Sequence, residues 1–118
     1  MKNIIYWVEI PATDFDRAVN FYSQLLGQEL LRHDFGTEKM ALLPNDAGAI
    51  FQAPGYQPSR NGVIVSLNAG KDIDKWIECI VANGGAIEKP KSKIEAEGRG
   101  WFALFIDTEG NRLGLYGE

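Results

Sequence analysis

The chain has one cysteine and one histidine in 118 residues. One cysteine allows no internal disulfide and no cysteine-based zinc site. One histidine excludes a multi-histidine metal centre built by a single chain. No apolar run approaches the roughly 20 residues of a membrane helix. The apolar stretch near Ile4 to Val8 is also shorter than a secretory core of about 7–15 residues. No two Lys or Arg residues are adjacent, and 12 basic side chains face 16 acidic ones. A nucleic-acid binder normally carries a basic face, so that partner class is disfavoured. No Gly-x-Gly-x-x-Gly and no Gly-Lys-Ser/Thr occurs, which removes the common phosphate-binding loops. A cytoplasmic protein with neither membrane nor nucleic-acid partner is expected. Apolar residues at 45% and charged residues at 24% supply an ordinary globular core for one domain over 1–118.

The residue pattern alternates between strand and helix periods. Asn3 to Ile10 alternates as a strand, and Pro11 ends it. Thr13, with Asp16 three residues on, reads as a helix N-cap. Phe15, Ala18, Val19, Tyr22, Leu25 and Leu26 recur at helical spacing, and Gly27 stops the helix. Short strands are expected at Glu29–His33, Met40–Leu43 and Ala49–Gln52, separated by turn residues. Ala53 to Asn61, with Pro54, Gly55 and Pro58, reads as a linker. The grammar then repeats. A strand at Gly62–Asn68 leads to a helix opened by Asp72, with Ile73, Trp76, Ile77, Ile80 and Val81 on one stripe. Asn83-Gly84-Gly85 ends it. Strands follow at Ala86–Lys89, Trp101–Ile106 and Arg112–Tyr116. Lys91 to Gly100 reads as a solvated connection, or as a lid.

Asp14-Phe15-Asp16-Arg17 and Asp72-Ile73-Asp74-Lys75 match at an offset of 58 residues, which also carries Gly27 onto Gly85. The chain therefore reads as two repeats, about 3–52 and 62–117, joined by a linker at 53–61. Each repeat is βαβββ. One repeat alone leaves a sheet face uncovered. The expected architecture is α+β: paired βαβββ modules forming a curved mixed sheet, helices outside, with a central cleft.

Two segments, Glu9-Ile10-Pro11-Ala12-Thr13-Asp14-Phe15-Asp16-Arg17-Ala18-Val19-Asn20-Phe21-Tyr22 and Asp107-Thr108-Glu109-Gly110-Asn111-Arg112-Leu113-Gly114-Leu115, resemble the vicinal oxygen chelate superfamily. That superfamily includes glyoxalase I, extradiol dioxygenases and the fosfomycin- and bleomycin-resistance proteins. Its metal-using members place a His seven residues before the helix-opening Asp. They place a Glu four residues after the Gly of the Asp-x-x-Gly-Asn turn. Here the resemblance carries those positions to Trp7, Val65 and Gly114, and aligning Gly48 with Gly110 adds Gln52. Three of these side chains ligate no divalent cation, and Gln52 offers a single neutral oxygen. Neither a metal nor any other cofactor is expected. The resemblance also implies a homodimer.

Glu9 lies two residues from Trp7, on the same strand face. A carboxylate beside an indole can anchor a cationic ligand or act as a general base. The plainer reading is an ion pair across the sheet or a dimer seam. Arg112 and Tyr116 flank Gly114 on one strand face. Arg112 can hold an anionic group through its planar fork, or it can simply neutralise Glu9. Trp7, Phe51, Trp101, Phe102 and Phe105 are strand aromatics that supply either core or stacking surface. Cys79 has no activating neighbour in sequence. His33 reads as a strand-end surface residue. Asp107, Glu109 and Asn111 read as turn formers. The expected ligand-binding residues are Trp7, Glu9, Gln52, Arg112 and Tyr116.

These residues support a metal-independent small-molecule binding protein, with the ligand in an aromatic cleft anchored by Glu9. Two alternatives remain open. One is a metal-independent isomerase or lyase using Glu9 as its catalytic base. The other is a scaffold whose cleft its own side chains fill. Fold does not choose among them.

Overall fold

The computed structural model describes residues 4–118. The chain divides into two compact units, one running to Pro58 and the other from Ser59 to Glu118. The boundary falls inside the stretch expected to be a linker. The first unit contains β1 (Val8–Pro11), α1 (Phe15–Leu26), β2 (Arg32–Asp34), β3 (Lys39–Leu42) and β4 (Gly48–Gln52). The second contains β5 (Ser66–Gly70), α2 (Ile73–Ala82), β6 (Ala86–Lys93), β7 (Trp101–Ile106) and β8 (Arg112–Gly117). Both are βαβββ modules with a mixed four-stranded sheet, ordered β1-β4-β3-β2 and β5-β8-β7-β6. The first and last strands of each module are parallel, and the other pairs are antiparallel. The α+β class and the internal duplication hold. The eight strands described form two ladders of four.

Several boundaries move for local reasons. The first strand begins at Val8, with Ile4 to Trp7 exposed ahead of it. Asn3, where it was expected to start, lies outside the described residues. Asp14, not Thr13, is the N-cap of α1: its Oδ1 accepts the Arg17 N–H at 3.1 Å. Gly27 closes the helix at φ 69°, where a glycine avoids the steric cost other residues meet. In α2 that role falls to Gly84 at φ 96°, not Gly85, because the helix is shorter. The Gly85 N–H reaches back to the Ile80 carbonyl, as Gln28 reaches Ser23 in α1. On α2, Ile73 and Ile80 are buried and Val81 is exposed, so the apolar stripe is narrower than its spacing suggests. β6 runs on through Lys93, so the following loop is shorter than expected.

The helix side of each sheet follows from side-chain contacts. Arg32 on β2 pairs with Asp16 at 2.7 Å and lies over the Phe15 ring, so it faces α1. The ladder places Arg32 opposite Ala41, Ala41 opposite Ile50, and Ile50 opposite Ile10. Ala41, Ile50 and Ile10 are buried with Phe15, Ala18, Val19 and Tyr22 of α1. In the second unit a Cβ on Gly117 would meet Ile73 of α2 at 2.8 Å. Gly117, Leu115 and Leu113 therefore face α2. The buried Phe105 and Ala103 pair with Leu113 and Leu115 across the ladder on that side. Burying such side chains contributes about 1.5–3 kcal/mol each for the larger ones.

Candidate functional site: the open sheet faces

Strand alternation assigns the remaining side chains to the face away from each helix. In the first unit these are Glu9, Ala49, Phe51, Met40, Leu42 and His33. Trp7 precedes β1 with the same parity and is 38% exposed. Glu9 is exposed, and among the described residues it makes no ion pair. The plainer expectation, an opposite charge across the sheet, is not what the structure shows. Tyr56 folds back onto this face, its ring edge-on to Phe51 with centroids 4.8 Å apart. His33 is half-buried and stacks on Phe35 at 6.0 Å rather than standing alone at a strand end.

Gln52 has the parity of Ile50, so it belongs to the helix side of β4, and its Oε1 is buried without a hydrogen bond. The residue opposite Glu9 is Ala49. In the second unit Gly114 stands opposite Ser66. Face for face, Ala49 is thus the first-unit counterpart of Gly114. The Gly48–Gly110 match that selects Gln52 slips this register. A bulge between Asn68 and Gly70 has a similar effect at the other end. It inserts one residue between β5 and α2, so Ile64 rather than Val65 shares the parity of Ser66. Sequence spacing counts residues and does not see a bulge.

The open face of the second unit carries Ser66 and Asn68 from β5, Arg112, Gly114 and Tyr116 from β8, and Phe102, Leu104 and Ile106 from β7. Tyr116 lies directly opposite Phe102. A Cβ on Gly114 would meet the Ser66 hydroxyl at 2.5 Å. Arg112 does not depend on Glu9 for its counter-charge. Its Nε lies 2.9 Å from Glu88 Oε1, and the other carboxylate oxygen accepts from Arg60 Nη2 at 2.9 Å. Glu88 occupies the bulge of β6 between Ile87 and Lys89. That extra residue lets Glu88 and Lys89 serve the same face, and Lys89 Nζ stands 5.6 Å from the Phe102 ring centroid. Sequence reasoning missed Glu88, Arg60 and Lys89. The bulge hides Lys89, Glu88 lies 24 residues before Arg112, and Arg60 sits in the stretch read as linker.

Arg60 is held by the turn before β8. Asp107 is buried, and its Oδ1 accepts the backbone N–H groups of Glu109 and Asn111, both at 2.9 Å. Its Oδ2 accepts from Asn111 Nδ2 at 3.0 Å. Asn111 Oδ1 then accepts the Ser59 N–H at 3.0 Å, and the Ser59 carbonyl accepts from the Arg112 N–H at 3.3 Å. The Asp-x-x-Gly-Asn sequence thereby fixes the residue next to Arg60. Of the other strand aromatics, Phe105 is core and Trp101 lies on the α2 side beneath Lys91 and Lys93. Cys79 is half-buried, and its Sγ accepts from Asn83 Nδ2 at 3.3 Å.

Two βαβββ modules of this kind define an α+β protein of duplicated-module type. The family model of the Glyoxalase/Bleomycin resistance protein/Dioxygenase superfamily matches residues 4–115, and the chain belongs to that family. A glyoxylase-like domain-containing protein of Didymella fabae is 32% identical over 117 residues, covering 88% of this chain and 85% of that one. Among solved structures, a glyoxalase/bleomycin resistance protein of Albidiferax ferrireducens T118 superposes with a TM-score of 0.76 at 20% identity, covering 98% of this chain and 99% of that one. The genomically encoded fosfomycin resistance protein of Listeria monocytogenes gives 0.75 at 18% identity, covering 100% and 95%. At these identities the structural likeness speaks for the fold alone.

The family's metal chemistry needs several convergent His or carboxylate donors. The corresponding positions here hold Trp7, Ala49 and Gly114, with Ile64 or Val65 as the fourth. Among the described residues no group of three His, Cys, Asp or Glu side chains stands close enough to hold an ion. The donor set does not fit a chelated metal.

Proposed function

We propose that the protein binds a small organic molecule without a metal, as a homodimer, with Glu9 as the charged anchor and Trp7 as a stacking surface. Arg112 and Tyr116 are further proposed ligand contacts, on the open face of the second unit, while Gln52 lies on the helix side of β4, away from Glu9 and Trp7. The observation that carries this reading is the Glu9 carboxylate, exposed and without an ion pair among the described residues, next but one to a half-exposed indole. An indole beside a carboxylate suits an organic cation through its ring face. The dimer is supported by the consecutive apolar side chains Ile4, Ile5 and Tyr6, exposed at 87%, 67% and 90%. Apolar exposure on that scale marks an interaction surface. No helix among the described residues is long and apolar enough to cross a membrane.

Native mass spectrometry of the purified protein tests this reading. A dimer carrying an organic adduct is expected, with the adduct lost from Glu9→Gln and from Trp7→Ala. A stoichiometric divalent metal refutes it. Turnover of the adduct with a pH-dependent rate that disappears in Glu9→Gln would instead make Glu9 a general base, as an isomerase or lyase requires.

A further inference from the structure

The chain carries a net charge of −4, yet the open face of the second sheet reverses that sign. Three cations reach it: Arg60, Lys89 and Arg112. One strand carboxylate, Glu88, faces them. Its two oxygens are divided between the two guanidiniums at 2.9 Å each, so the cluster retains positive charge. Arg112 and Glu88 are partly shielded from solvent, their side chains 29% and 25% exposed, while Arg60 at 60% stands at the solvent edge. Charges in such a place are less screened than on an open surface. The Arg112 Nε–H is buried and not aligned on the carboxylate oxygen beside it. Each guanidinium offers five N–H donors, and Glu88 engages only a part of them.

We propose that this face binds the anionic head of an aromatic ligand, an organic acid whose carboxylate or phosphate is taken by Arg112 and Arg60. The inference rests on the small-molecule-binding reading above and assigns the second unit's open face a ligand group of charge opposite to the one Glu9 would anchor. Glu88 is the positioning residue: it holds both planar forks at fixed places without saturating them. An aromatic ring fits the neighbouring surface. Gly114 lies two residues along β8 from Arg112, about 7 Å at the strand rise. It presents no side chain, only the Ser66 hydroxyl beside it. Beyond it stand Tyr116 and Phe102, opposite each other on the ladder. Lys89, over the Phe102 ring, adds positive potential at that end. A planar fork recognises a planar carboxylate with two parallel hydrogen bonds.

The test is a nuclear magnetic resonance titration of the full chain with benzoate, its neutral isostere benzamide, and phenylphosphonate. Benzoate is expected to shift the Arg112, Arg60 and Gly114 signals and to bind at least about tenfold more tightly than benzamide, the difference a charge-assisted contact supplies. Arg112→Met and Arg60→Met should each weaken benzoate about tenfold or more while leaving benzamide unchanged. Arg112→Lys keeps the charge and loses the fork, so an intermediate loss is expected from a variant that preserves the fold. Tighter binding of phenylphosphonate than benzoate also supports the inference, and makes the head group a phosphate. Benzamide binding as tightly as benzoate overturns the anion site and leaves the binding function standing. Benzoate affinity surviving in folded Arg112→Met does the same. If no probe shifts any signal and native spectra show no organic adduct, both readings fall together.

Discussion

Asn111 connects the turn before β8 to the arginine pair, and its removal has a calculable cost. Its side chain donates to buried Asp107 Oδ2 at 3.0 Å and accepts from Ser59 N–H at 3.0 Å. A hydrogen bond to a charged group contributes about 1.5–3 kcal/mol and a neutral one about 1 kcal/mol. Ser59 is partly solvated in the variant, so part of the second loss is recovered. Asn111→Ala is expected to destabilise by about 2–3 kcal/mol. For a chain of this size that lowers Tm by roughly 6–15 °C. Asn111→Asp should be worse despite its similar shape, because it sets a second carboxylate against Asp107 in a buried place. Thermal unfolding by circular dichroism, with urea titration for the free energy, reads both. The variant should also weaken benzoate binding at temperatures where it is fully folded, because Ser59 no longer fixes the chain beside Arg60. A Tm loss under about 2 °C for Asn111→Ala would refute the reasoning, since it would mean the two bonds are replaced by water at no cost. Asn111→Asp as stable as Asn111→Ala would refute the electrostatic half.

The two glycines of β8 make a contrasting pair. Gly117→Ala drives a methyl against Ile73 of α2 at 2.8 Å and should cost about 1–3 kcal/mol by overpacking, measured by urea unfolding. Gly114→Ala meets only the Ser66 hydroxyl, which can rotate away, so its stability should change by under about 0.5 kcal/mol while benzoate binding falls. Ile5→Glu, placing a charge in the exposed apolar segment ahead of β1, should shift the native mass spectrum from dimer to monomer. Lys91 and Lys93 line β6, the outer strand of its sheet, where charge discourages strand-to-strand association. Replacing both with Thr should raise light scattering on concentration, and unchanged scattering would assign the lysines no such role.

The fold was legible because each element carries its own signal. The α1 spacing, Gly27, and the turn Asp107 to Asn111 each state a local conformation that few other sequences adopt. The helix-opening Asp14 and Asp72 then disclose the duplication. Strand starts were less legible. Ile4 to Val8 alternates as a strand should, but pairing requires a neighbour, and β4 reaches back only to Gly48 opposite Val8. The site was legible in part. Trp7 and Glu9 share a parity that alternation predicts, and Arg112, Gly114 and Tyr116 do likewise. The partner of Arg112 was not, because Glu88 is 24 residues away in sequence and two strands across the sheet. Gln52 was misaligned for another reason: the turns before β4 and β8 differ. Gly48 leads straight into its strand opposite Val8, whereas Gly110 precedes β8.

Two of the three register shifts in the second sheet bear directly on what this fold can hold. The insertion at Asn68 to Gly70 shifts β5 by one residue against its helix, and the position sharing a face with Ser66 becomes an isoleucine. The bulge in β6 does the opposite kind of work. It turns Lys89 onto the open face, on the same side as Glu88, which stands beside Arg60 and Arg112. The second irregularity thus adds Lys89 to the charged face of the second module. Deleting Ala69 to restore the repeat should therefore not create a metal site, since Trp7, Ala49 and Gly114 remain non-ligating. Removing Glu88 from its bulge should, by contrast, leave two guanidiniums unrestrained. Glu88→Gln is expected to reduce the preference for benzoate over benzamide only modestly, because the cations remain. It should also broaden the Arg60 and Arg112 side-chain resonances. Sharp resonances with unchanged selectivity would show that the carboxylate does not position the pair.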